Sequence, residues 1–565
     1  MSIKSRRLLL GKGLKLTFGL LLFFTLFVTQ ASEEPGQPVQ KSDAEMNFRL
    51  DTLVEKPTER SDSNSTADHT KFEELKGPFT SGPEVTKACL KCHNEAGHQF
   101  MQNIHWTWSY ENKKTGQILG KKHLVNTFCT NARGNEGMCA QCHAGYGWKD
   151  ETFDFTNQNN IDCVVCHDSS GTYYKTPNSA GSKACSVMFE GKQAIDWAKV
   201  AQSAALPTRE NCGGCHFYGG GGDGVKHGDL DSSLIHPDRQ LDVHMDESGL
   251  NFACTNCHVT QKHVWAGSRY DVIAKDREGT GKPGMRRNVA TCESCHGDTP
   301  HSMKQIAGIK LNDHVDKVAC QTCHIPIIAR GGVATMVDWD WRTAGKTRDG
   351  QGYKDKNYTQ GDGHHRATYK SIKGSFEYGE ELVPYYAWFD GQMRYTTINT
   401  RFDPASGPVE INSFRGSAED ENSRIWPFKR MHTVQPYDKG NNTLVYMHLW
   451  GDDDTSFWGN YDFATAIKVG MEKNRLPYSG EYDFVETYSY WPITHMVAPK
   501  ENALECAECH AREGRLNELE GFYLPGRDSN RWLDIIGLLA VAGTLIGVLG
   551  HGLVRIISNK GRKQK

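Results

Sequence analysis

Apolar residues are in short supply in this chain. Only 38 % of its 565 residues are hydrophobic and the mean hydropathy is -0.60. Side chains alone therefore do not stock the cores of several domains, which the length would otherwise suggest. Charge of one sign is missing too: 65 Lys and Arg against 68 Asp and Glu leave a formal net charge of -3. Without a basic surplus, nucleic-acid binding is disfavoured. The long apolar runs are confined to the two ends, and sustained helical periodicity is rare between them. Of 18 Cys, only Cys129 and Cys185 fall outside one repeated motif.

That motif is Cys-x-x-Cys-His, and it occurs eight times: Cys89/Cys92/His93, Cys139/Cys142/His143, Cys163/Cys166/His167, Cys212/Cys215/His216, Cys254/Cys257/His258, Cys292/Cys295/His296, Cys320/Cys323/His324 and Cys506/Cys509/His510. Each attaches one c-type heme: two thiols add to the vinyl groups, and the His is the proximal iron ligand. Eight porphyrins supply the apolar bulk that the side chains lack. The expected fold is mainly α with extensive irregular structure, a multiheme cytochrome c fold built around eight covalent hemes, plus one C-terminal transmembrane helix. Heme propionates make the holoprotein acidic, which further disfavours nucleic acid.

The ends give the compartment. Lys4, Arg6, Arg7, Lys12 and Lys15 precede an apolar Leu16 to Val28, and Thr29-Gln30-Ala31 offers a cleavage site, so residues 1–31 read as a signal peptide. Heme attachment points to an exported, oxidising compartment. Ile535 to Val554 holds no Asp, Glu, Lys or Arg and is long enough to span a bilayer. Arg555, Lys560, Arg562, Lys563 and Lys565 follow it, which orients residues 558–565 as a basic cytoplasmic tail and 532–557 as the anchor. The protein is expected on the periplasmic side of the inner membrane. Gly543 and Gly547 form a GxxxG face for a partner helix, such as a quinol-linked subunit.

Between the ends, residues 32–80 read as a flexible polar linker. Residues 81–330 read as a heme domain with hemes 1–7, and 331–500 as a heme-free, aromatic-rich region, irregular and β-rich in part. Residues 501–531 read as heme 8 and a helix, with long helices expected there. A heme that only passes electrons has two firm ligands, whereas one that does chemistry keeps a labile position. Candidate second ligands are His105, His227, His244, His263, His301, His314 and His495, seven for eight hemes. His123 and His432 are reserves, and His69, His364 and His365 lie in polar stretches where solvation is expected.

Four segments resemble a known family: His105-Trp106-Thr107-Trp108, Asn126-Thr127-Phe128-Cys129, the run from Cys212 through Gly219-Gly-Gly-Gly-Asp223-Gly-Val-Lys226 to Asp231, and Asp242-Val243-His244-Met245. Over residues 85 to 520 the chain is similar to the octaheme tetrathionate reductases. The resemblance implies an active second heme held by Cys139, Cys142 and His143. Lys226 is then its distal ligand, with Asp223, Asn126 and Cys129 around it. It further implies two-electron reduction of tetrathionate to thiosulfate. Cys129 is either a nucleophile toward an S–S bond, a seat for the anion, or a disulfide partner of Cys185. Nitrite or hydroxylamine reduction, a non-catalytic electron conduit, and a heme scaffold in a respiratory complex are the alternatives. Other cytochromes are possible electron partners. The C-terminal span departs from the soluble members of that family.

Overall fold

A computed structural model of the chain describes residues 67–126, 128–175, 194–277, 279, 288–451 and 453–562. The expected signal peptide, most of the expected linker, Thr127, Cys185 and the last three residues lie outside them. The part of the linker that is described, from Ala67, is folded: Asp68 caps a 3-10 turn at His69–Lys71, and another follows at Glu73–Leu75.

The heme-motif part is built from short helices joined by turns. Among them are α1 (Gly82–Cys89), α2 (Arg209–His216) and α3 (Ile306–His314). Thr208 and Asn211 close a reciprocal capping box on α2, which satisfies donors that a helix start leaves open. Most other motifs sit on helices of four or five residues. Such segments are too short to be stable alone.

The expectation of a mainly α fold is corrected by a nine-stranded sheet within residues 335–492. Its strands are β1 (Thr335–Asp340), β2 (Lys354–Asp355), β3 (Tyr369–Lys370), β4 (Gly374–Gly379), β5 (Tyr385–Phe389), β6 (Val409–Glu410), β7 (Arg424–Asp438), β8 (Thr443–Leu444) and β9 (Tyr482–Pro492). The order is β6-β9-β7-β1-β4-β3-β2, with β5 and β8 also paired to β7. The 15-residue β7 is buried along nearly its whole length, so both faces carry core, and alternation gives no sequence signal. Aromatic and β-branched residues crowd this stretch, which favours strands. One core cluster on the sheet joins Trp339, Trp341, Met431 and Trp491 to Val125, Phe128 and Val225. The sheet is thus the platform for the loops around the second motif. Helix α4 (Phe463–Lys473) packs on the same cluster.

The long helices expected at the eighth motif are absent among the described residues: only Cys506–Cys509 is helical there, and turns run to Asn530. The long helix is α5 (Arg531–Arg562), 32 residues with its apolar side chains exposed. It is long and apolar enough to cross a membrane.

Candidate redox site

Six of the eight motif histidines face a second imidazole across a gap of one size. Ring centres are 6.3 Å apart for His69 and His93, 6.1 Å for His105 and His216, and 6.1 Å for His244 and His296. They are 6.3 Å apart for His258 and His495, 6.4 Å for His301 and His324, and 6.0 Å for His314 and His510. A metal-bound imidazole nitrogen lies about 2 Å from the ion and about 1 Å from its own ring centre, so two imidazoles on one ion stand about 6 Å apart. The protein holds these rings from behind. Nδ1 faces a backbone carbonyl in His167 (Ala205, 2.7 Å), His258 (Ala266, 3.0 Å), His314 (Lys310, 2.6 Å) and His510 (Pro525, 3.1 Å). Side-chain oxygens do the same for His105 (Asn103, 2.9 Å), His263 (Gln99, 3.1 Å), His301 (Asn312, 3.1 Å) and His495 (Asp229, 3.2 Å). Donating from Nδ1 fixes the tautomer and leaves the Nε2 lone pair for iron.

His69, expected in solvent, is the ring opposite His93. His227 is set opposite no motif histidine: it makes no ring contact among the described residues, and its carbonyl accepts from Thr335 Oγ1 at 3.0 Å. His263 stands within electrostatic reach of His167 and His93. The two reserves spend Nε2 elsewhere, His123 on Ser109 Oγ at 2.9 Å and His432 toward Glu486 at 3.9 Å.

The motif thiols also neighbour one another. Cys142 lies within thiol hydrogen-bonding reach of Cys215, Cys212 of Cys254, and Cys292 of Cys320. Cys163 lies beside Cys89, Cys166 beside Cys215, and Cys323 beside Cys506 and Cys509. Ala290 donates to the Cys257 carbonyl at 3.1 Å, which joins the fifth motif to the sixth. These contacts order the motifs 1-3-4-5-6-7-8, with the second branching from the fourth.

Besides Cys139, which neighbours Cys129 and its own Cys142, two of the expected attachment thiols, Cys92 and Cys295, enter none of these contacts between motifs. Cys92 is exposed, because it falls on the turn that follows α1; it is near Cys89 of its own motif, and its N–H donates to the Cys89 carbonyl at 3.2 Å. Cys295 is half-buried and takes a 3.9 Å contact from Ser294 Oγ, the residue before it. For these two, the expectation of heme attachment rests on the motif spacing and not on a neighbouring motif.

Two motif histidines have no imidazole facing them among the described residues: His167, with His263 in electrostatic reach, and His143, whose surroundings are unlike the others. His143 is fully buried and boxed by Trp106 (5.2 Å), Trp108 (5.4 Å), Trp148 (4.8 Å), Phe153 (5.8 Å) and Phe155 (6.1 Å). No imidazole faces it among the described residues. Its Nε2 meets the Trp106 carbonyl at 2.7 Å, while Nδ1 is buried without a partner. Burial pushes its pKa down to about 3, so the ring is neutral, as a ligand must be. Three lysines act electrostatically on this motif's Cys142: Lys121, then Lys175, then Lys226. Lys226 is 7 % exposed. Burial, then Arg269 and Lys121, hold its pKa well below the usual lysine range.

Lys429, on β7, fixes the backbone there. Its Nζ donates to the carbonyls of Val225 (2.8 Å) and Lys226 (3.0 Å), and it lies over the Phe128 and Trp491 rings. Gln435, six residues on and so on the same face of the strand, accepts from Asn126 Nδ2 at 2.7 Å. Asn126 Oδ1 in turn accepts from Phe128 N at 2.8 Å. Phe128 has φ +115°, a strained value for an aromatic residue. The next residue is Cys129. It lies near the Cys139 thiol and, with Gln435, lines a cavity of about 10 Å³, room for one water. Gln435 Nε2 has no partner. The Asp223 carboxylate is turned to Ser232 N at 2.9 Å, not onto Lys226, while its own carbonyl accepts from Arg366 at 2.6 Å. At Gly224, φ is +62° and a Cβ would meet Val333 at 2.8 Å, so the loop needs glycine there. Lys370, which Cys129 influences, is pushed down to about 8 by burial and then by Lys373.

Comparisons with known proteins agree with this geometry. The family described as Cytochrome c bacterial matches residues 336–513, and the one described as Cytochrome c554 and c-prime matches 88–168 and 253–325. An uncharacterized protein of Archaeoglobus fulgidus is 26 % identical over 257 residues, 38 % of this chain and 84 % of that one. The crystal structure of octaheme cytochrome c from Shewanella oneidensis is 39 % identical. It covers 82 % of this chain and 97 % of that chain, with a TM-score of 0.69. The chain belongs to the octaheme cytochromes c.

As such a cytochrome it carries covalent heme c, and the paired rings and motif thiols fit that group. Sequence reasoning missed His69, Lys429, Gln435 and the Asn131/Asn135 pair. Those two asparagines sew the second motif to residues 447–450: Asn131 Oδ1 accepts from Met447 N at 3.0 Å, and Asn135 Oδ1 from Leu449 N at 2.7 Å. Lys429 had little signal, since it ends the apolar run Ile425 to Phe428 beside a second cation, Arg430. His69 had none.

Proposed function

We propose that this octaheme cytochrome is a membrane-anchored periplasmic reductase of a small inorganic anion, tetrathionate, and that its eight motifs each hold one heme. The observation that carries the reading is the asymmetry of the second motif, where His143 has no facing imidazole among the described residues and Lys226 is a buried amine in electrostatic reach of Cys142. The hemes supply electrons one at a time, and the second is the one that His143 and Lys226 would hold. A neutral amine binds iron more weakly than imidazole, so an added ligand competes best at this site. Burial keeps Lys226 neutral, and Lys429 pins its backbone.

The reaction breaks the central S–S bond of the tetrathionate dianion. Two electrons enter, one to each sulfur, and two thiosulfates leave with no net proton. That balance suits this pocket better than nitrite or hydroxylamine reduction, which consume protons, because Asp223 is committed to Ser232. Lys370, charged below pH about 8, and Lys373 offer a cationic approach for the dianion. Cys129 and the free Nε2 of Gln435 line the adjoining cavity, which has room for one water beside the anion. The ordered motifs run from the eighth, next to the membrane helix, to the second. A quinol-linked membrane subunit is the expected donor. The test is Lys226→Leu in heme-loaded protein, with thiosulfate release as readout. Turnover should fall at least about a hundredfold, with all eight hemes attached. Unchanged turnover would reject the reading.

A further inference from the structure

The described residues expose eleven large hydrophobic side chains ahead of α5, and four of them, Met303, Ile306, Ile309 and Leu311, fall within nine residues. They lie on or just before α3, the helix that ends in His314. That ring faces His510 of the eighth motif at 6.0 Å. Leu311 is one turn from His314, where a heme would cover it. Ile306 is two turns away, about 12 Å along the axis, and is 81 % exposed. The opposite side of α3 is occupied: Asn312 holds His301, and a Cβ on Gly308 would meet the Ser302 carbonyl. Ile306 and Lys310 therefore face outward.

The same end of the molecule is tied to α5. His510 Nδ1 meets the Pro525 carbonyl at 3.1 Å. Arg531 is six residues later, at most about 21 Å of extended chain. The connection is not loose. Arg527 donates to the carbonyls of Leu516 (3.0 Å) and Phe522 (2.9 Å), and Leu524 N donates to Asp528 at 2.7 Å. Leu516, Leu519 and Leu524 pack against Tyr386, Trp388 and Ile425. Tyr523 and Trp532 are exposed here, residue types that favour the membrane–water interface.

We infer that the eighth motif is the membrane-facing end of the heme series, and that α3 lies on the lipid surface through Ile306, with the exposed Met303, whose Sδ takes Asn312 Nδ2 at 3.1 Å, at the border of that face. Lys304 and Lys310 flank these side chains and suit anionic headgroups. This inference rests on α5 being a membrane span. It gives electrons a fixed port: the heme farthest from the second motif in contact order stands closest to a membrane donor.

The test uses full-length, heme-loaded protein in nanodiscs of phosphatidylethanolamine and phosphatidylglycerol. A photoreactive p-benzoylphenylalanine is placed at Ile306 or, as control, at Phe72 beside the first motif. Irradiation should give lipid adducts at 306 at least tenfold above those at 72. Met303→Gln should reduce the adducts at 306 severalfold without changing heme absorbance. Equal labelling at both positions would overturn the inference, as would adducts at 306 formed only with a second copy of the chain. Protein that fails to enter the nanodisc overturns the span itself, which is a separate result.

Discussion

The eighth and second motifs present the same three residues in opposite surroundings. His510 is steered by a carbonyl through Nδ1 and looks across 6.0 Å at His314, with turns and exposed side chains around it. His143 is sealed in five aromatic rings, with a buried lysine near its thiol. The first arrangement would offer an iron two imidazoles and leave it only electrons to pass. The second would offer one imidazole, with lysines in electrostatic reach of the motif's Cys142. The difference comes from the sheet: β7 reaches the second motif through Lys429 and Gln435, and residues 447–450 hold it through Asn131 and Asn135.

Four changes, with a control at His314, would break or sharpen that contrast. The largest effect is expected from Lys226→Met, which should cost at least about a hundredfold in kcat/KM for tetrathionate and alter the spectrum of one heme. Replacing His314 by Met should instead shift a potential and slow electron entry, with the anion KM unchanged. Next is Lys429→Met. It keeps the volume but drops the hydrogen bonds to Val225 and Lys226, at about 1–3 kcal/mol of stability. Turnover should fall about tenfold, with KM nearly constant, if the lysine positions Lys226. A parallel loss in KM would argue for a direct contact with substrate.

Third, Lys370 sets a pH limb. Its pKa is lowered to about 8, so the ammonium is present below that pH and lost above it. The KM for a dianion should rise severalfold from pH 7 to 9, and Lys370→Met should show the high KM throughout. Steady-state assays across that range check it. The smallest effect belongs to His69→Met. The first motif lies off the contact route from the eighth to the second, so its heme potential should shift while turnover changes by less than about twofold.

Much of the cofactor chemistry was legible in the sequence, because Cys-x-x-Cys-His is a local pattern with one dominant use. The octaheme cytochrome relationship was legible in the eight repeats, while the finer resemblance carried by the glycine loop ending at Lys226 belongs to the proposal. The ligand pairs were harder. A second histidine is selected by space, and His69 sits in a polar tract that offers no periodic cue, whereas His227 sits in a suggestive motif but its ring faces no other imidazole among the described residues. The nine-stranded sheet was only partly legible: β7 is buried on both faces, so the alternation that usually marks a strand is absent. The expected helices near the eighth motif failed for a related reason. Residues 511–530 are held by Arg527 and Asp528 side chains on backbone groups, which stabilise turns without any helical period.

Near-infrared magnetic circular dichroism of the oxidised, heme-loaded protein tests the central claim most directly, since it reports the ligand pair on each low-spin iron. Seven histidine–histidine signatures and one lysine–histidine signature, the last lost in Lys226→Met, are the predicted result. Eight histidine–histidine signatures that ignore both tetrathionate and the substitution would contradict it.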